Sequence, residues 1–521
     1  MALTRRTLFT GMMLPAMCDL AVAQPPHAMR LGEAVPFSRD ILEAQAERLA
    51  AAPYRPRLPQ AAAQAIDYEA HGKIRFAPER GLFADGSGPY PVSFFHLGRY
   101  FQKGVAIHEV RNGRSREVLY HPALFTMPDD SPARALPAHA GFAGFRLQES
   151  RQRTDWRTQD WIAFLGASYF RSIGALNQYG LSARGIAVNV ATSEGEEFPD
   201  FTAFYIDAKA KQGAIVIHAL LEGPSLTGAY TFTCRRGKGV VTEVECQIFL
   251  RRDVARLGIA PLTSMYWFSE TRKPTMADWR PEVHDSDGLQ LLTGKGEQLW
   301  RPLNNPPQVT VSSFLDESPR GFGLMQRDRI FDHYQDGVYY ERRPSAYVEP
   351  IGDWGAGAVQ LVEIPTDDEI HDNIVAMWVP REPARAGEKR GYRYRITWAA
   401  DAPPATASTP ALARVVATRL GNGGQPGTAR PKGVRKFLVE FQGGPLASLP
   451  KGTLPEVQLW TSRGAFGAYQ HTEAVPNDVP GHWRTQFDLQ VDGPQPVELR
   501  ASLLVGGKPA SETWSYQYHP G

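Results

Sequence analysis

Short runs of alternating apolar and polar residues, broken by Gly, Pro or Asp, dominate this chain from about residue 66 onward. Between residues 392 and 398, four large apolar side chains alternate with Arg393, Arg395 and Thr397. Because side chains point alternately to the two faces of a β-strand, this pattern is typical of a half-buried strand. Gly 48 and Pro 42 together supply 90 of the 521 residues, which favours many short strands. We therefore expect a mainly β protein.

One helix precedes the strands. Ser38 can cap its N-terminus, and it would end before Pro53. Five residues after Ser38 fall at the 3-to-4-residue spacing of one helix face, and all but Gln45 are apolar: Ile41, Leu42, Gln45, Ala46 and Leu49.

The length of 521 residues exceeds what a single hydrophobic core usually serves, so we expect two domains. Residues 401–410 are rich in Pro and small side chains and are typical of a linker. Residues 24–400 would form a large β-sandwich domain. The strand-like runs within residues 411–521 have the number and spacing of a small immunoglobulin-like sandwich.

The first 23 residues have the pattern of an export signal. Arg5 and Arg6 precede a weakly apolar stretch at 11–22, and Ala21-Val22-Ala23 fits a cleavage site. The paired arginines indicate the twin-arginine route, with an ordinary secretory signal as the alternative. We expect cleavage after residue 23 and a periplasmic protein. No later segment is long and apolar enough to span a membrane.

The charge balance excludes some classes of partner. Lys and Arg number 57 and Asp and Glu number 55, which leaves a net charge of +2. A chain so close to neutral lacks the basic surface that nucleic acids and anionic membranes select, so we expect neutral or mixed ligands.

Cleavage of the signal would leave two cysteines, Cys234 and Cys246, on the strands of a predicted hairpin. An oxidising compartment permits a disulfide. A tight turn near Gly237 would nevertheless put the two cysteines several residues out of register, too far apart to bridge. Two buried thiols are the favoured interpretation.

Familiar catalytic motifs are absent from the sequence, but acidic residues lie beside aromatic ones at 280–288, 345–355 and 363–373. Glycosidic cleavage needs two carboxyl groups, one protonated and one ionised, and aromatic faces that stack on sugar rings. The alternative is that these acids only hydrogen-bond their own turns. Adjacent residues such as His284 and Asp285 point to opposite sides of an extended chain, so we expect no metal site and no cofactor.

Longer motifs carry a resemblance that spans nearly all of the mature chain. They are FAGF at 142–145, GASYFR at 166–171, YGLSARG at 179–185, GEEFP at 195–199, APLTSM at 260–265, HDS at 284–286, WRPLNNP at 300–306, GFGL at 321–324, VEIPT at 362–366, DNIV at 372–375 and SETWSY at 511–516. With these motifs the chain resembles the periplasmic glucan biosynthesis proteins, the OpgG/OpgD (MdoG/MdoD) family. The twin-arginine signal is more like that of the D branch.

The resemblance implies a galactose-mutarotase-like N-terminal sandwich, an immunoglobulin-like C-terminal domain and a role in making osmoregulated periplasmic glucans with a β-1,2-linked backbone. It also implies endo-β-1,2-glucanase-like chemistry with inversion, in which Asp372 is the general acid and Asp285 the general base. Two alternatives stay open: glycosyl transfer that yields cyclic glucans at the same site, and a non-catalytic glucan-binding scaffold.

Three aromatic residues near the acidic segments are candidate sugar contacts, namely Tyr347, Trp354 and Trp378, although packing in the core is an equal alternative for each. The expected partners are β-1,2-glucan and other glucan-synthesis proteins. A homodimer would agree with the resemblance to the D branch.

Overall fold

A computed structural model describes residues 29–520 except 138, 210–212, 274–275, 277, 403–409 and 451. The predicted export signal and most of the predicted linker lie outside the described residues.

The described residues are mainly β-strand, as the alternating pattern predicts. The strands up to residue 399 are β1 (Arg30–Leu31), β2 (Val35–Pro36), β3 (Arg75–Phe76), β4 (Val92–Phe95), β5 (Ala106–Arg111), β6 (Arg114–Leu119), β7 (Phe125–Thr126), β8 (Gly144–Gln148), β9 (Asp160–Leu165), β10 (Tyr169–Ser172), β11 (Ser182–Arg184), β12 (Ala187–Val188), β13 (Asp200–Asp207), β14 (Ala214–Glu222), β15 (Leu226–Arg236), β16 (Val240–Leu250), β17 (Leu257–Ser264), β18 (Tyr266–Phe268), β19 (Val283–His284), β20 (Gly288–Leu292), β21 (Gln298–Pro302), β22 (Thr310–Glu317), β23 (Gly321–Met325), β24 (Ser345–Pro350), β25 (Ala356–Glu363), β26 (Ile374–Pro380) and β27 (Lys389–Ala399). Those after the predicted linker are β28 (Arg414–Asn422), β29 (Val434–Gln442), β30 (Glu456–Thr461), β31 (Ala465–Ala474), β32 (His482–Gln490), β33 (Val497–Val505), β34 (Lys508–Pro509) and β35 (Thr513–Tyr518).

The predicted helix is confirmed as α1 (Arg39–Ala51). The Ser38 hydroxyl accepts a hydrogen bond from the Ile41 backbone N–H at 3.2 Å, which satisfies one of the free donors at the helix start. The helix buries Leu42 and Ala46 against side chains of strands β13, β14 and β15. A second, short helix is α2 (Tyr68–Gly72). Short 3₁₀ turns occupy Ala61–Ala65, Pro78–Arg80, Pro122–Leu124, Pro132–Ala135, Phe331–His333, Tyr340–Arg342 and Gly444–Ser448.

Two sheets face each other in the first part of the chain. One runs in the order β6-β5-β13-β14-β15-β16-β27-β24-β23-β20-β21, and all of its pairs are antiparallel except β5 with β13. The other is antiparallel in the order β22-β25-β26-β17-β11-β10-β9-β8-β4. Between them, the ring of Phe164 on β9 lies 5.4 Å from that of Phe204 on β13 and 5.2 Å from that of Phe232 on β15. This contact between inner faces makes the pair a β-sandwich.

A second sandwich is built from the C-terminal strands. The sheet β28-β29-β32-β31 packs against β30, β33 and β35, with Phe437 and Phe487 facing Trp514 in a second core, to which strands β21, β23 and β24 also contribute side chains. Strand β35 pairs in parallel with β21, so that Trp300 lies beside Trp514. The expected fold class, mainly β with sandwich architecture, is confirmed.

The two cysteines lie where the predicted hairpin puts them, on β15 and β16. Cys234 faces Thr242 and Cys246 faces Tyr230 in the antiparallel register. Both are free and fully buried thiols, and this burial raises the pKa of each to about 12. The prediction of two buried thiols is confirmed.

Within the described residues, no helix is long and apolar enough to cross a bilayer.

Candidate functional site

The sequence-predicted base, Asp285, directly follows β19. Its neighbours His284 and Ser286 are fully buried, and Asp285 itself is buried. Its backbone N–H donates to the carbonyl of Met265 at 2.8 Å, which ties it to the segment between β17 and β18. The Asp285 carboxylate forms an ion pair with the guanidinium of Arg343.

The sequence-predicted acid, Asp372, lies on the loop that joins β25 to β26. Glu363 pairs with Ile374 at the base of this hairpin, and Ile364 donates its N–H to the carbonyl of Asn373 at 2.9 Å. We refer to residues 364–373 as the acid loop. Asp372 is exposed to solvent, although the protein atoms crowded around it displace much of its water.

Three arginines from separate segments surround Asp372. Arg171 lies on β10 and Arg184 ends β11, both in the sheet that also contains β26, and Arg343 comes from the segment before β24. The crowding raises the pKa of Asp372 above its ordinary value, while the charges of these arginines lower it by a smaller amount. Asp372 therefore combines access to solvent with a raised pKa.

The side chain of Arg343 interacts with both predicted catalytic residues. It contacts Asp285, and its charge interacts with that of Asp372. Burial lowers the pKa of Arg343 to about 10, and the charges of Glu369 and Asp372 oppose that shift. Its guanidinium carbon lies 4.1 Å from the centre of the Tyr340 ring. Arg343 remains a cation at neutral pH.

Glu369 of the acid loop is held by two groups from outside the loop. The Tyr340 hydroxyl donates to its carboxylate at 2.7 Å, and the Arg280 guanidinium donates to it at 2.6 Å. Next to Arg280, the indole of Trp279 is 69% exposed. An exposed aromatic side chain therefore lies in the chain beside an arginine that contacts the acid loop.

A cleft of about 420 Å³ has Arg171 in its lining. Its lining includes Tyr100, Phe101, Tyr169 and Ser182, and a second cavity of about 300 Å³ shares Tyr100, Phe101 and Tyr169 with it. Tyr169 also interacts electrostatically with Asp372. Aromatic faces with a few polar groups are the lining that sugar-sized ligands use.

The three aromatic residues predicted as sugar contacts all lie in the core. Trp378 on β26 is fully buried against the backbone of Gly357. Trp354 is buried, and its indole N–H donates to the carbonyl of Arg393 at 3.3 Å. Tyr347 on β24 is buried against Gly321 and Gly323. Core packing, the alternative for these residues, therefore describes the surroundings of all three rings.

Next to Asp285 in the chain, His284 belongs to a cluster of acidic residues and histidines. Burial lowers the pKa of His284, but the carboxylates of Glu282, at 2.9 Å, and Asp287 outweigh it and raise the pKa to about 9. The ligand atoms of Glu282, Asp328 and His333 lie within 4.8 Å of one another, which is close enough to hold a metal ion. His333 and Asp328 already bond to each other, however, and so do Glu282 and His284.

Sequence reasoning missed the arginines. Arg171 and Arg184 each lie in a motif that carries the family resemblance. The motifs identify these two positions, but they do not indicate that the side chains lie around Asp372. Arg343 lies outside those motifs, and only the fold brings it to Asp285.

Comparisons with known proteins agree with these motifs. The sequence model of the family described as "Periplasmic glucan biosynthesis protein, MdoG" matches residues 37–518. The chain is 59% identical to "Glucans biosynthesis protein D 2" of Ralstonia nicotianae, over 99% of this chain and 98% of that protein. It is 44% identical to "Glucans biosynthesis protein D" of Xanthomonas campestris pv. campestris, over 97% of this chain and 95% of that protein. A protein of the same name from Stenotrophomonas maltophilia is also 44% identical, over 97% of this chain and 94% of its own length. The chain therefore belongs to the MdoG family of periplasmic glucan biosynthesis proteins.

Proposed function

We propose that this protein is a periplasmic glycoside hydrolase that cleaves β-1,2-glucan internally with inversion, with Asp372 as general acid and Asp285 as general base. The observation that carries the proposal is that two carboxyl groups in different environments share Arg343. Asp372 is accessible with a raised pKa, whereas Asp285 is buried and paired with the cation. Opposite environments for two carboxyl groups are what acid–base cleavage of a glycoside requires.

Asp372 has the properties of a proton donor. Its raised pKa keeps a larger fraction of the carboxyl group protonated near neutral pH, and its exposure lets a glycosidic oxygen approach. As the bond breaks, the proton passes to the leaving oxygen and Asp372 becomes an anion. The charges of Arg171, Arg184 and Arg343 then stabilise that anion.

Asp285 has the properties of a base that stays ionised. An ion pair with a guanidinium favours the carboxylate over the neutral acid. Because Asp285 is buried, it would take the proton of the attacking water through an intervening water chain rather than by direct contact. An inverting mechanism leaves room for such a relay, since the base only activates a water and does not itself attack the sugar.

The surroundings suit a neutral, ring-shaped ligand. Tyr100, Phe101 and Tyr169 provide aromatic surface in the cleft that Arg171 also lines, and Trp279 neighbours an arginine that contacts the acid loop. With the family membership, these surfaces support a glucan chain as the ligand. The same membership supports a periplasmic location.

Product analysis tests the proposal. Mature protein is incubated with linear β-1,2-glucan, and the products are separated by chain length. We expect shorter linear glucans from the wild type, and a loss of rate on the order of 100- to 10,000-fold for Asp372→Asn. Asp367→Asn is the matched control, because it makes the same chemical change at an exposed position of the same loop.

Each outcome has a defined meaning. Shorter linear products from the wild type and from Asp367→Asn, but not from Asp372→Asn, support the hydrolase. Cyclic or lengthened products would make the protein a transglycosylase that uses the same acid. Unchanged glucan with measurable binding would overturn the enzymatic proposal in favour of a scaffold.

A further inference from the structure

The side chain of Asn373, next to Asp372, joins the acid loop to β18. Its amide oxygen accepts from the Tyr266 N–H at 2.8 Å, and its amide nitrogen donates to the Tyr266 carbonyl at 2.9 Å. The same nitrogen donates to the carbonyl of Ile364 at 2.9 Å, at the start of the acid loop. Asn373 is almost completely buried, so these bonds do not compete with water.

Asn305 makes the same kind of connection from the other end of the loop. Its amide oxygen accepts from the Thr366 N–H at 3.0 Å, and its amide nitrogen donates to the Thr366 carbonyl at 2.7 Å. That nitrogen also donates to the Trp267 carbonyl at 3.1 Å. Two buried asparagines thus attach both ends of the acid loop to neighbouring residues of one strand.

This strand and the residue before it also contact the segment that carries Asp285. Tyr266 is the cross-strand partner of His284, and the Met265 carbonyl accepts the N–H of Asp285. From the acid to the base, the connection therefore runs from Asp372 to Asn373, across a side-chain hydrogen bond to Tyr266, and through Met265 to Asp285.

The hydrogen bonds at these two positions need a side chain that is both an acceptor and a double donor, which is the chemistry of a primary amide. Each asparagine uses one acceptor and two donor hydrogens on fixed backbone groups. A carboxylate of the same shape has no donor, and an apolar side chain leaves buried backbone groups unpaired. The chemistry accounts for Asn at both positions.

We propose that Asn373 and Asn305 are positioning residues that fix the separation of Asp372 from Asp285 by clamping the acid loop to β18. The proposal rests on the function proposed above. Neither asparagine needs to touch the glucan. Their loss therefore lowers kcat through misplacement of Asp372 and leaves KM nearly unchanged, since a displacement of about 1 Å costs on the order of 100-fold in rate.

Asn305→Ala and Asn304→Ala form a matched pair for the test. The two residues are adjacent and similarly buried, but the Asn304 side chain donates to the carbonyl of Gln517 in the C-terminal strand β35 rather than to the acid loop. We expect Asn305→Ala to lower kcat on linear β-1,2-glucan by roughly 100-fold with KM changed by less than about threefold. Asn304→Ala should keep kcat within about threefold of the wild type, even where both variants lose similar thermal stability.

Amide hydrogen exchange of the folded protein provides a readout that does not need activity. Peptides from residues 364–372 should exchange faster in Asn305→Ala than in the wild type or Asn304→Ala. Equal exchange in all three, or an equal loss of kcat in both variants, would overturn the clamp. If the wild type does not cleave glucan, the proposed function fails, and the exchange data alone then show whether the asparagines hold the loop.

Discussion

At the scale of single residues, Asp372 is subject to two opposing influences. Crowding by protein atoms raises its pKa, and the charges of Arg184, Arg171 and Arg343 lower it. The net shift is upward, which keeps the acid protonated to higher pH than a free carboxyl group. In the proposed mechanism, the loss of this proton sets the basic limb of the pH–rate profile.

Replacing Arg171 tests this balance. Arg171→Gln removes a positive charge that favours the Asp372 anion, so the pKa of Asp372 should rise further. Because the acid then stays protonated to higher pH, the basic limb of kcat/KM should move upward. Arg134→Gln, which removes an exposed arginine paired with Asp129 on another segment, should leave the limb in place. A limb that moves downward or not at all in Arg171→Gln would contradict the assignment of the acid.

Trp279 is the exposed aromatic residue next to Arg280, which contacts the acid loop. If its indole stacks on a glucose ring, Trp279→Ala should raise KM roughly tenfold, equivalent to about 1.4 kcal/mol of binding free energy, with little change in kcat. Trp460→Ala is the control, since Trp460 is also exposed but lies on β30 of the C-terminal strands. Equal KM values for the two variants would exclude Trp279 from the glucan site.

The sequence identifies some residues of the candidate site and misses others. Asp285 and Asp372 were predicted from the resemblance, whereas the arginines around them come from three segments that only the folded sheet brings together. Tyr347, Trp354 and Trp378 were candidates because they lie near acidic residues in the chain. Nearness in sequence does not determine whether a ring faces the core or the solvent, and all three rings are buried.

At the scale of elements, alternation predicts strands and their buried faces well. Strand β27 buries Tyr394, Ile396 and Trp398 completely, as the pattern at 392–398 indicates. The cap at Ser38 predicts the start of α1 correctly, because both signals are local. The acid loop is different, because side chains distant in sequence hold it in place.

The hairpin β15–β16 makes a prediction about redox behaviour. Its register keeps Cys234 and Cys246 apart as buried thiols with a raised pKa. Thermal unfolding of the mature protein should therefore be the same with and without a thiol reductant, and a thiol reagent should label both cysteines only after denaturation. A lower midpoint in the presence of reductant would show that a disulfide forms and would contradict this register.

At the scale of the whole molecule, the C-terminal strands are joined to the first sandwich by polar contacts in addition to the β21–β35 pairing. Both oxygens of Glu512 accept from the Arg327 guanidinium, at 2.8 and 2.9 Å, and the pair is buried. The guanidinium carbon also lies 3.6 Å from the centre of the Trp300 ring. Composition and spacing indicate two sandwiches, but they do not reveal this buried connection.

Breaking that ion pair should destabilise the protein. Glu512→Ala leaves Arg327 buried without its partner, so the free energy of unfolding should fall by about 3–5 kcal/mol. Asp253→Ala removes a partner from the exposed pair with Arg385 and should cost less than about 1 kcal/mol. Denaturant unfolding of both variants provides the comparison. Equal losses would mean that the Glu512–Arg327 contact contributes no more than a surface ion pair.

The most direct test of the central claim is proton NMR of the first products that the wild-type protein releases from linear β-1,2-glucan. A single displacement, in which a water activated by the base attacks the face opposite the leaving group, inverts the anomeric centre. The new reducing ends should therefore appear first as the α-anomer and equilibrate to the β-anomer later, and Asp372→Asn should produce neither. A first product in the β-configuration would mean retention, and it would contradict the roles assigned to Asp372 and Asp285.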